Sequence, residues 1–311
     1  MKTALCGVWH VHASQYLKEA LKTGEVCGVY DADAGRRRAF CEKHGVPEFE
    51  TLDALLGCSA EGVIVCTATN EHIGVIPKIA EAGKNIFTEK VLALSADDCR
   101  IIAESVRRNK VGFTISFPHK YGRGPMTVKA VADSGELGKI NYVRVRNCHD
   151  GSVGGWLPPH FYDPVECGGG AMIDLGAHGM YLIDWLLGLP EKYYSAFTHC
   201  FGREVEDNAV TVMSYPDGAI AVNETGFVSS CYPLTFEVGG ERGFLRFVAD
   251  KSGGSVVKST KDSGGEVAVE LLPAVDPPIV QFLKGERLPG CGLDEAYNLT
   301  VMMQGAYANI K

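Results

Sequence analysis

Two residues capable of acid–base chemistry, Asp174 and His178, lie four positions apart in the apolar segment 168–188. Side chains with this spacing share one face of an α-helix, so the carboxylate and the imidazole are predicted to point the same way. Gly188 and Pro190 provide the expected end of the helix. A largely buried helix rarely carries both groups without partners or a task. The pair is therefore either a candidate catalytic couple or a hydrogen-bonded pair with a structural role in the core.

The first 117 residues alternate short apolar runs with helical patterns. The strand runs are continuously apolar, which is typical of a parallel sheet covered on both faces. This pattern predicts a doubly wound α/β domain, in which ligands bind beyond the carboxyl ends of the strands. The predicted strands are Thr3–Cys6, Val26–Tyr30, Gly62–Cys66, Asn85–Phe87 and Val111–Ile115, with helices near 13–22, 34–44, 71–82 and 95–108.

The turn after the first strand is a candidate cofactor site. Dinucleotide-binding folds carry three glycines here, and only Gly7 matches that fingerprint. His10 and His12 have the spacing of two metal ligands on a strand, but they begin a helix, which favours helix capping or cofactor contact. No metal site is predicted. The candidates for cofactor contact in this turn are Gly7, Trp9, His10 and Val11.

A carboxylate ends the second predicted strand. At this position Asp31 can bond both ribose hydroxyls of a dinucleotide. A carboxylate also repels a 2′-phosphate, which favours NAD over NADP. Three arginines follow and keep NADP possible: Arg36, which is also a candidate for cofactor contact, Arg37 and Arg38. The favoured interpretation of the three arginines is a solvated helix face.

Further cofactor candidates follow the next two strands. Small and polar residues after Cys66 suit the close passage of a ribose or a nicotinamide; they are Thr67, Thr69, Asn70 and His72. Glu89 and Lys90 follow the strand after that, and an ammonium at this point would lie over the cofactor crevice. In isolation, adjacent Glu89 and Lys90 would be typical of a surface ion pair.

The remaining residues, 118–311, predict a second domain of α+β class, after a dinucleotide-binding domain at 1–117. Residues 209–227 and 235–248 each predict a hairpin, and consecutive hairpins build a mainly antiparallel sheet. The segment Lys251–Glu266 predicts an exposed loop or a weak polar hairpin. An open sheet face is usually covered by a partner, so a homodimer or homotetramer is expected. Alternating apolar residues fit either the core or that interface: Val210, Val212, Ile220 and Val222.

Aromatic and polar residues in two loops are candidates for substrate binding. Trp156, His160 and Tyr162 present aromatic faces with polar ends, which suit a sugar ring, although a proline-rich loop folding back on the sheet is an equal alternative. His119 and Tyr121 are candidates of the same kind, and Lys120 lies between them.

Composition limits the other classes of function. A length of 311 residues suits two domains, and a net charge of −8 argues against nucleic acid or an anionic membrane as the main partner. No apolar run is long enough to span a membrane, and the first residues do not have the pattern of a signal peptide. The eleven cysteines are scattered singly, which favours reduced thiols and a cytoplasmic location.

Several segments, taken together, resemble the Gfo/Idh/MocA oxidoreductases. The resemblance rests on Gly7, Asp31, TATNEH at 67–72, GKNIFTEKVLAL at 83–94, DSGELGKI at 133–140, GGGAMIDLGAH at 168–178, EDNAVTVMSYPDGA at 206–219 and EVGGERGFLRF at 237–247. Three features depart from the family pattern: positions 9 and 12 lack glycine, Val91 stands where proline usually follows the lysine, and the stretch 117–121 is unusual.

The resemblance implies a Rossmann domain followed by a domain with an open-faced antiparallel sheet. It also implies a bound nicotinamide dinucleotide, a sugar, inositol or related polyol as substrate, and a catalytic group formed by Lys90, Asp174 and His178. The activity expected is therefore that of an NAD(P)-dependent dehydrogenase or reductase acting on CH–OH groups. Either Lys90 or His178 could be the base.

Three other functions stay open from the sequence. The first is a redox-neutral glycosidase or lyase that oxidises a sugar transiently with tightly bound NAD. The second is a non-catalytic dinucleotide-binding protein, which the missing glycines suggest. The third is a divalent-metal enzyme with Asp174 and His178 as ligands, which lacks an evident third ligand.

Overall fold

A computed structural model describes residues 1–230, 234–286 and 288–310. They form two compact units: unit 1 contains residues 1–116 and 276–300, and unit 2 contains residues 117–275 and those from 301 onward. The sequence predicts one domain from residue 118 to the end, whereas residues 276–300 lie with unit 1. Their apolar side chains explain this, because Phe282 is buried in unit 1 with its ring 5.6 Å from that of Phe87.

Unit 1 is built on a five-stranded parallel sheet, which confirms the predicted doubly wound layout. The strands are β1 (Thr3–Cys6), β2 (Val26–Tyr30), β3 (Gly62–Val65), β4 (Asn85–Thr88) and β5 (Phe113–Ile115), in the order β2-β1-β3-β4-β5. β1 and β3 are buried along their whole length, so the centre of the sheet is covered on both faces.

Helices cover the sheet of unit 1, and short polar side chains start two of them. Asp33 accepts the Arg36 N–H at the start of α2, and Ser95 accepts the Asp98 N–H at the start of α5. The helices are α1 (Ala13–Thr23), α2 (Ala34–His44), α3 (Leu52–Leu56), α4 (His72–Glu81) and α5 (Ala96–Asn109), and later in the chain α9 (Pro278–Leu283) and the first part of α10 (Leu293–Ala308).

Unit 2 contains an eight-stranded sheet that is mainly antiparallel, as predicted. Its strands are β6 (Ile140–Cys148), β7 (Lys192–Thr198), β8 (Asn208–Ser214), β9 (Ile220–Gly226), β10 (Thr235–Gly240), β11 (Gly243–Val248), β12 (Ser255–Thr260) and β13 (Val267–Val269), in the order β13-β12-β11-β10-β6-β9-β8-β7. The pairing of β6 with β9 is parallel. Both predicted hairpins are present, and the pairing of β12 with β13 supports the polar hairpin rather than the exposed loop.

One face of this sheet carries α6 (Arg123–Asp133) and α8 (Ala177–Leu187), and unit 2 also contains the short helix α7 (Pro164–Cys167) and the last part of α10. On that face Thr225 donates a hydrogen bond of 3.2 Å to the Ala171 carbonyl just before the helical segment that includes α8. The four apolar residues that suited core or interface lie on the opposite face. Ile220 is exposed there, and the other three, Val210, Val212 and Val222, are half-buried.

The segment with the candidate acid–base pair is not a regular α-helix. Met172–Gly176 form a π-helical turn that runs directly into α8. The Asn223 amide donates a hydrogen bond of 2.8 Å to the last carbonyl of this turn, and a side chain bonded in this way shifts the helical hydrogen-bond pattern. Asp174 lies in the π-helical turn and His178 in α8, so the two residues do not lie on one regular α-helix as expected.

Among the residues that the structure describes, no helix combines the length and the apolar character needed to cross a lipid bilayer.

Candidate active site

In unit 1 the turn after β1 requires glycine. Gly7 has a φ of +84°, and a Cβ atom there would lie 2.5 Å from the backbone nitrogen of Thr67. The next residue, Val8, donates its N–H to the Asp31 carboxylate at 2.8 Å. The backbone thus passes so close to the carboxyl ends of β2 and β3 that no side chain fits at position 7.

Asp31, at the end of β2, is buried and fully bonded. Its carboxylate accepts two hydrogen bonds from Arg36, at 2.8 and 3.0 Å, and one from the Asp33 N–H at 2.9 Å. Arg37 is also buried and donates to the Asp31 carbonyl and to Glu48. The interpretation of a solvated helix face is therefore wrong for Arg36 and Arg37, because each has a carboxylate partner.

The residues after β3 present buried polar atoms. In the described part of the chain, Thr67 Oγ1, Asn70 Oδ1 and His72 Nε2 are buried and have no hydrogen-bond partner. The other ring nitrogen of His72 lies 3.1 Å from the Leu92 carbonyl, to which it can only donate. Burial lowers the pKa of His72, so the ring is neutral. Such unsatisfied buried atoms fit a ligand that carries hydroxyl and amide groups.

A carboxylate and two imidazoles form a tight cluster in unit 1. Glu89 is buried, and one of its oxygens lies 2.8 Å from His12 Nδ1 and 3.7 Å from His10 Nδ1 and also bonds the Tyr16 hydroxyl. Burial raises the pKa of Glu89, but His10, His12 and Lys90 outweigh it and hold the pKa well below its usual range. The cluster therefore carries an ionised carboxylate away from water.

This cluster excludes helix capping, one of the two roles expected for His12, and overturns the expectation of a surface ion pair at Glu89 and Lys90. His12 is the residue before α1, but its side chain makes no capping hydrogen bond, because the ring is bonded to Glu89 instead. Glu89 and Lys90 are both buried, so they are not a surface ion pair. The Lys90–Val91 peptide bond is cis.

The remaining residues predicted to contact a cofactor differ in exposure. Trp9 and Thr69 are buried, whereas Val11 is half exposed on the surface of the same turn. Together with Gly7, Asp31, Thr67 and His72, they lie at or just after the carboxyl ends of β1, β2 and β3. The tight glycine turn and the unsatisfied polar atoms fit a nicotinamide dinucleotide, which this edge of a doubly wound sheet ordinarily binds.

In unit 2 His178 is buried and has a phenol as its neighbour. Its Nδ1 lies 2.9 Å from the Tyr181 hydroxyl. This hydroxyl also accepts a hydrogen bond of 3.1 Å from the backbone N–H of His119. The His119 ring packs against the His178 ring with a centroid distance of 4.6 Å. Asp174 is half-buried. The structure thus brings together two predicted residues, His119 and His178, through Tyr181, which the sequence did not indicate.

An anion that the sequence analysis missed holds the start of this segment. Glu206 is buried, and its carboxylate accepts the N–H groups of Gly170 at 3.1 Å and Met172 at 2.9 Å. Tyr307 donates to the same carboxylate at 2.7 Å. Backbone N–H groups at a helix start favour an anion. No local motif signals this role, because its partners lie far away in the chain.

Lys120 is a buried cation in unit 2. Its side chain is 3% exposed, and its Nζ lies 5.1 Å from the Phe117 ring centroid, 5.7 Å from that of Trp185 and 5.9 Å from that of Tyr181. Aromatic faces stabilise such an ammonium. Tyr121, the next residue, is half-buried.

The loop predicted to grip a substrate is only partly exposed. Trp156 is 56% exposed, with its indole N–H bonded to Asp150. Tyr162 is bonded to Ser152 at 3.0 Å, and the Arg203 guanidinium lies 3.4 Å above its ring. His160 is half-buried in the same loop. Arg203 is a second residue that the sequence analysis missed.

Comparison with known proteins decides the family. Residues 1–117 match a family described as an oxidoreductase family with an NAD-binding Rossmann fold, and residues 126–246 match the GFO/IDH/MocA C-terminal domain. The chain belongs to the Gfo/Idh/MocA oxidoreductase family. It is therefore an oxidoreductase whose first unit is an NAD-binding Rossmann domain.

Individual relatives of this oxidoreductase act on polyols or sugars according to their names. The inositol 2-dehydrogenase of Salmonella paratyphi B is 28% identical over 258 residues, which cover 78% of this chain and 72% of the relative. Among solved structures, the aldose-aldose oxidoreductase from Caulobacter crescentus complexed with glycerol has a TM-score of 0.83 at 18% identity, covering 99% of this chain and 97% of that one. A levoglucosan dehydrogenase in complex with NADH and levoglucosan has a TM-score of 0.84 at 16% identity, covering 99% and 96%. These two structures support the fold.

Proposed function

We propose that this Gfo/Idh/MocA oxidoreductase transfers a hydride between NAD and a secondary alcohol or ketone of a sugar, inositol or related polyol. The observation that supports this most is the buried imidazole of His178, which is bonded to Tyr181 and lies on a segment fixed by Glu206. A buried, oriented imidazole is suited to moving a proton near neutral pH. The names of the relatives point to the same class of substrate.

Three side chains share the proposed chemistry. Oxidation of an alcohol needs a hydride acceptor, which NAD supplies when bound, and a base for the hydroxyl proton. His178 is the proposed base, with Lys90 as the alternative. Lys90 is proposed to bond the reacting oxygen and to stabilise the negative charge that develops there. Asp174 is proposed to bind a neighbouring substrate hydroxyl or to set the protonation of His178.

The test is steady-state turnover of a panel of polyols and aldoses with NAD. Lys90→Ala, Asp174→Ala and His178→Ala should each lower the rate by about 10²–10⁴-fold on the best substrate. His199→Ala is a matched control, because His199 is exposed and its described hydrogen bond is to the nearby Arg203 carbonyl. Near wild-type rates in all three variants would contradict the assignment. Release of an aglycone from glycosides at constant NADH absorbance would favour redox-neutral cleavage instead.

We further propose that NAD is preferred over NADP because the Asp31 carboxylate would lie at the ribose and repel a 2′-phosphate. Arg36 already occupies this carboxylate, so it must move for ribose hydroxyls to bind. Titration with NADH and NADPH, followed by tryptophan fluorescence, measures the preference. Asp31→Ser should weaken NADH binding and reduce the difference between the affinities for NADH and NADPH. An unchanged ratio of the two affinities would contradict the proposed role of Asp31.

We also propose that the helix-free face of the unit 2 sheet pairs with a second copy of the chain. The half-buried Val212 and Val222 lie directly opposite each other on β8 and β9 of that face. Sedimentation should give a dimer or tetramer, and the double substitution Val212→Glu and Val222→Glu should shift it to a monomer. Ile101→Glu, on the exposed face of α5, should leave the mass of the assembly unchanged. A monomeric parent protein would overturn this proposal.

A further inference from the structure

The cluster of His10, His12 and Glu89 in unit 1 combines two imidazole nitrogens and a carboxylate oxygen. The three candidate ligand atoms all lie within 4.8 Å of one another. We propose that this cluster, termed here the His–His–Glu cluster, binds a divalent transition-metal ion of the Zn²⁺ class. Imidazole and carboxylate are ligands that such ions take in proteins.

The distances within the cluster are close to those that a metal requires. Zn–N and Zn–O bonds of about 2.0–2.1 Å in a tetrahedral arrangement place neighbouring ligand atoms roughly 3.3 Å apart. Glu89 Oε1 lies 2.8 Å from His12 Nδ1 and 3.7 Å from His10 Nδ1, which brackets that value. The two histidine nitrogens lie within 4.8 Å of each other, so the rings must move closer together, by up to roughly 1.5 Å, to reach that spacing.

The protonation of His10 suits a metal ligand. The His12 backbone N–H donates to His10 Nδ1 at 3.3 Å, and a backbone N–H can only donate. His10 Nδ1 is therefore an acceptor with no proton of its own, which is the form that coordinates a metal. His12 Nδ1 is the donor to Glu89, so binding of a metal at this nitrogen requires the ring proton to lie on Nε2 instead.

Groups around the carboxylate would hold it in place as a ligand. Tyr16 donates its hydroxyl to Glu89 and also lies 2.9 Å from Ser116 Oγ, and the Lys90 N–H donates to the other Glu89 oxygen at 3.2 Å. Such outer hydrogen bonds orient ligating carboxylates and are a regular part of metal sites. The cluster thus has both ligands and supporting bonds on elements of unit 1.

The site has three protein ligands and partial access to solvent. His10 and Glu89 are buried, whereas the His12 side chain is 37% exposed. Three ligands leave at least one coordination position for water or another oxygen ligand, as in metal sites that do chemistry or bind anions. The site does not depend on the proposed reaction, because a metal alone is expected to bind.

The first experiment measures Zn²⁺ binding to the metal-stripped full-length chain by competition with a chromogenic chelator. We expect one equivalent per chain with a Kd of about 1 µM or lower. His12→Ala changes a partly exposed residue and should weaken Zn²⁺ binding by at least about 100-fold. The loss of a metal ligand should cost more affinity than the loss of a hydrogen bond that orients a ligand. His199→Ala should leave the Kd unchanged. No binding by the parent chain, or equal binding by His12→Ala, would overturn the proposal.

A second experiment separates this site from binding to thiols and needs no variant to fold. Cys27 and Cys58 are only half-buried, so their thiols could also bind a metal ion. Co²⁺ bound at the His–His–Glu cluster should show d–d absorption without a thiolate charge-transfer band. A strong thiolate band at one equivalent of Co²⁺ would overturn the assignment. Because neither experiment uses substrate turnover, failure here would be distinct from failure of the proposed oxidoreductase reaction.

Discussion

Tyr307 and Glu206 are joined by a hydrogen bond of 2.7 Å, although they lie 101 positions apart in the chain. The same carboxylate bonds the backbone at the start of the π-helical turn. Burial raises the pKa of Tyr307, and the neighbouring Glu206 raises it further, so the phenol stays a hydrogen-bond donor. A buried anion, a phenol and two backbone N–H groups thereby fix the segment that leads to Asp174 and His178.

Tyr307→Phe should lower the free energy of unfolding by about 1–3 kcal/mol, because it leaves the buried Glu206 carboxylate with one donor fewer. Urea unfolding monitored by circular dichroism measures the change. Tyr142→Phe is the control, since Tyr142 is 40% exposed, and should change stability by less than about 0.5 kcal/mol. Equal effects of the two substitutions would show that the Tyr307 hydroxyl contributes nothing specific.

Gly7→Ala should destabilise the chain and weaken NADH binding more than Gly45→Ala does. Both glycines have positive φ, +84° and +64°, so both substitutions carry backbone strain of about 1–2 kcal/mol. Only at Gly7 would the new Cβ overlap other atoms, 2.5 Å from Thr67 nitrogen, because nothing lies within 4 Å of a Cβ at Gly45. Thermal unfolding and NADH titration compare the variants. A Gly45→Ala variant as strongly affected as Gly7→Ala would argue against a specific role for the close contact between residue 7 and Thr67.

The stability of unit 1 should fall as the pH drops below the usual pKa of histidine. Burial lowers the pKa of His72 in the folded chain, so the unfolded chain binds the proton more readily. The contribution of a neutral His72 is therefore fully present above about pH 6.5 and is lost as the pH falls, by up to about 1.4 kcal/mol per pH unit.

His72→Asn is the comparison for this pH dependence. Its amide can still donate to the Leu92 carbonyl but does not titrate. Urea unfolding of both proteins between pH 5 and pH 7.5 should give a steeper acid loss for the parent chain. Parallel curves would mean that His72 does not contribute to the acid sensitivity.

Tyr181→Phe should lower kcat on an identified substrate by about 10-fold while KM changes little. The substitution removes the hydroxyl that lies 2.9 Å from His178 Nδ1 and leaves the proposed base less well oriented. The measurement is a kcat and KM comparison with Tyr142→Phe, which keeps the site intact. Unfolding free energies of both variants are needed alongside, and an unchanged kcat in folded Tyr181→Phe would refute a positioning role.

The parallel sheet and the hairpins were predictable because their signals are local. Continuous apolar runs mark β1 and β3, and Pro216-Asp217-Gly218 marks the turn between β8 and β9. β6 and β7 were not predicted. β6 pairs with β9 and β10, from 78 to 100 positions further along the chain, so its pairing leaves no short-range pattern.

The residues of the candidate sites were also predictable mainly where their signal in the sequence is local. Asp31 and His178 lie within motifs and were found from the sequence, whereas Glu206 and Arg203 were not, because their partners come from other segments. Tyr181 was also missed, although it lies only three residues after His178 on α8. The π-helical turn was missed for a related reason: it depends on Asn223, a residue 47 positions after the carbonyl that it bonds. The metal spacing of His10 and His12 was visible, but Glu89 joins them only through the folded sheet.

The return of residues 276–300 to unit 1 has a consequence for biosynthesis. A nascent chain carries the five parallel strands early, but it lacks Ile279, Phe282 and Leu283, which complete their apolar core, until all of unit 2 up to residue 275 has been synthesised. Until then the ribosome-bound chain presents an uncovered apolar surface of the kind that chaperones recognise. Premature termination before residue 276 should therefore damage the nucleotide-binding half of the protein and yield an aggregation-prone fragment.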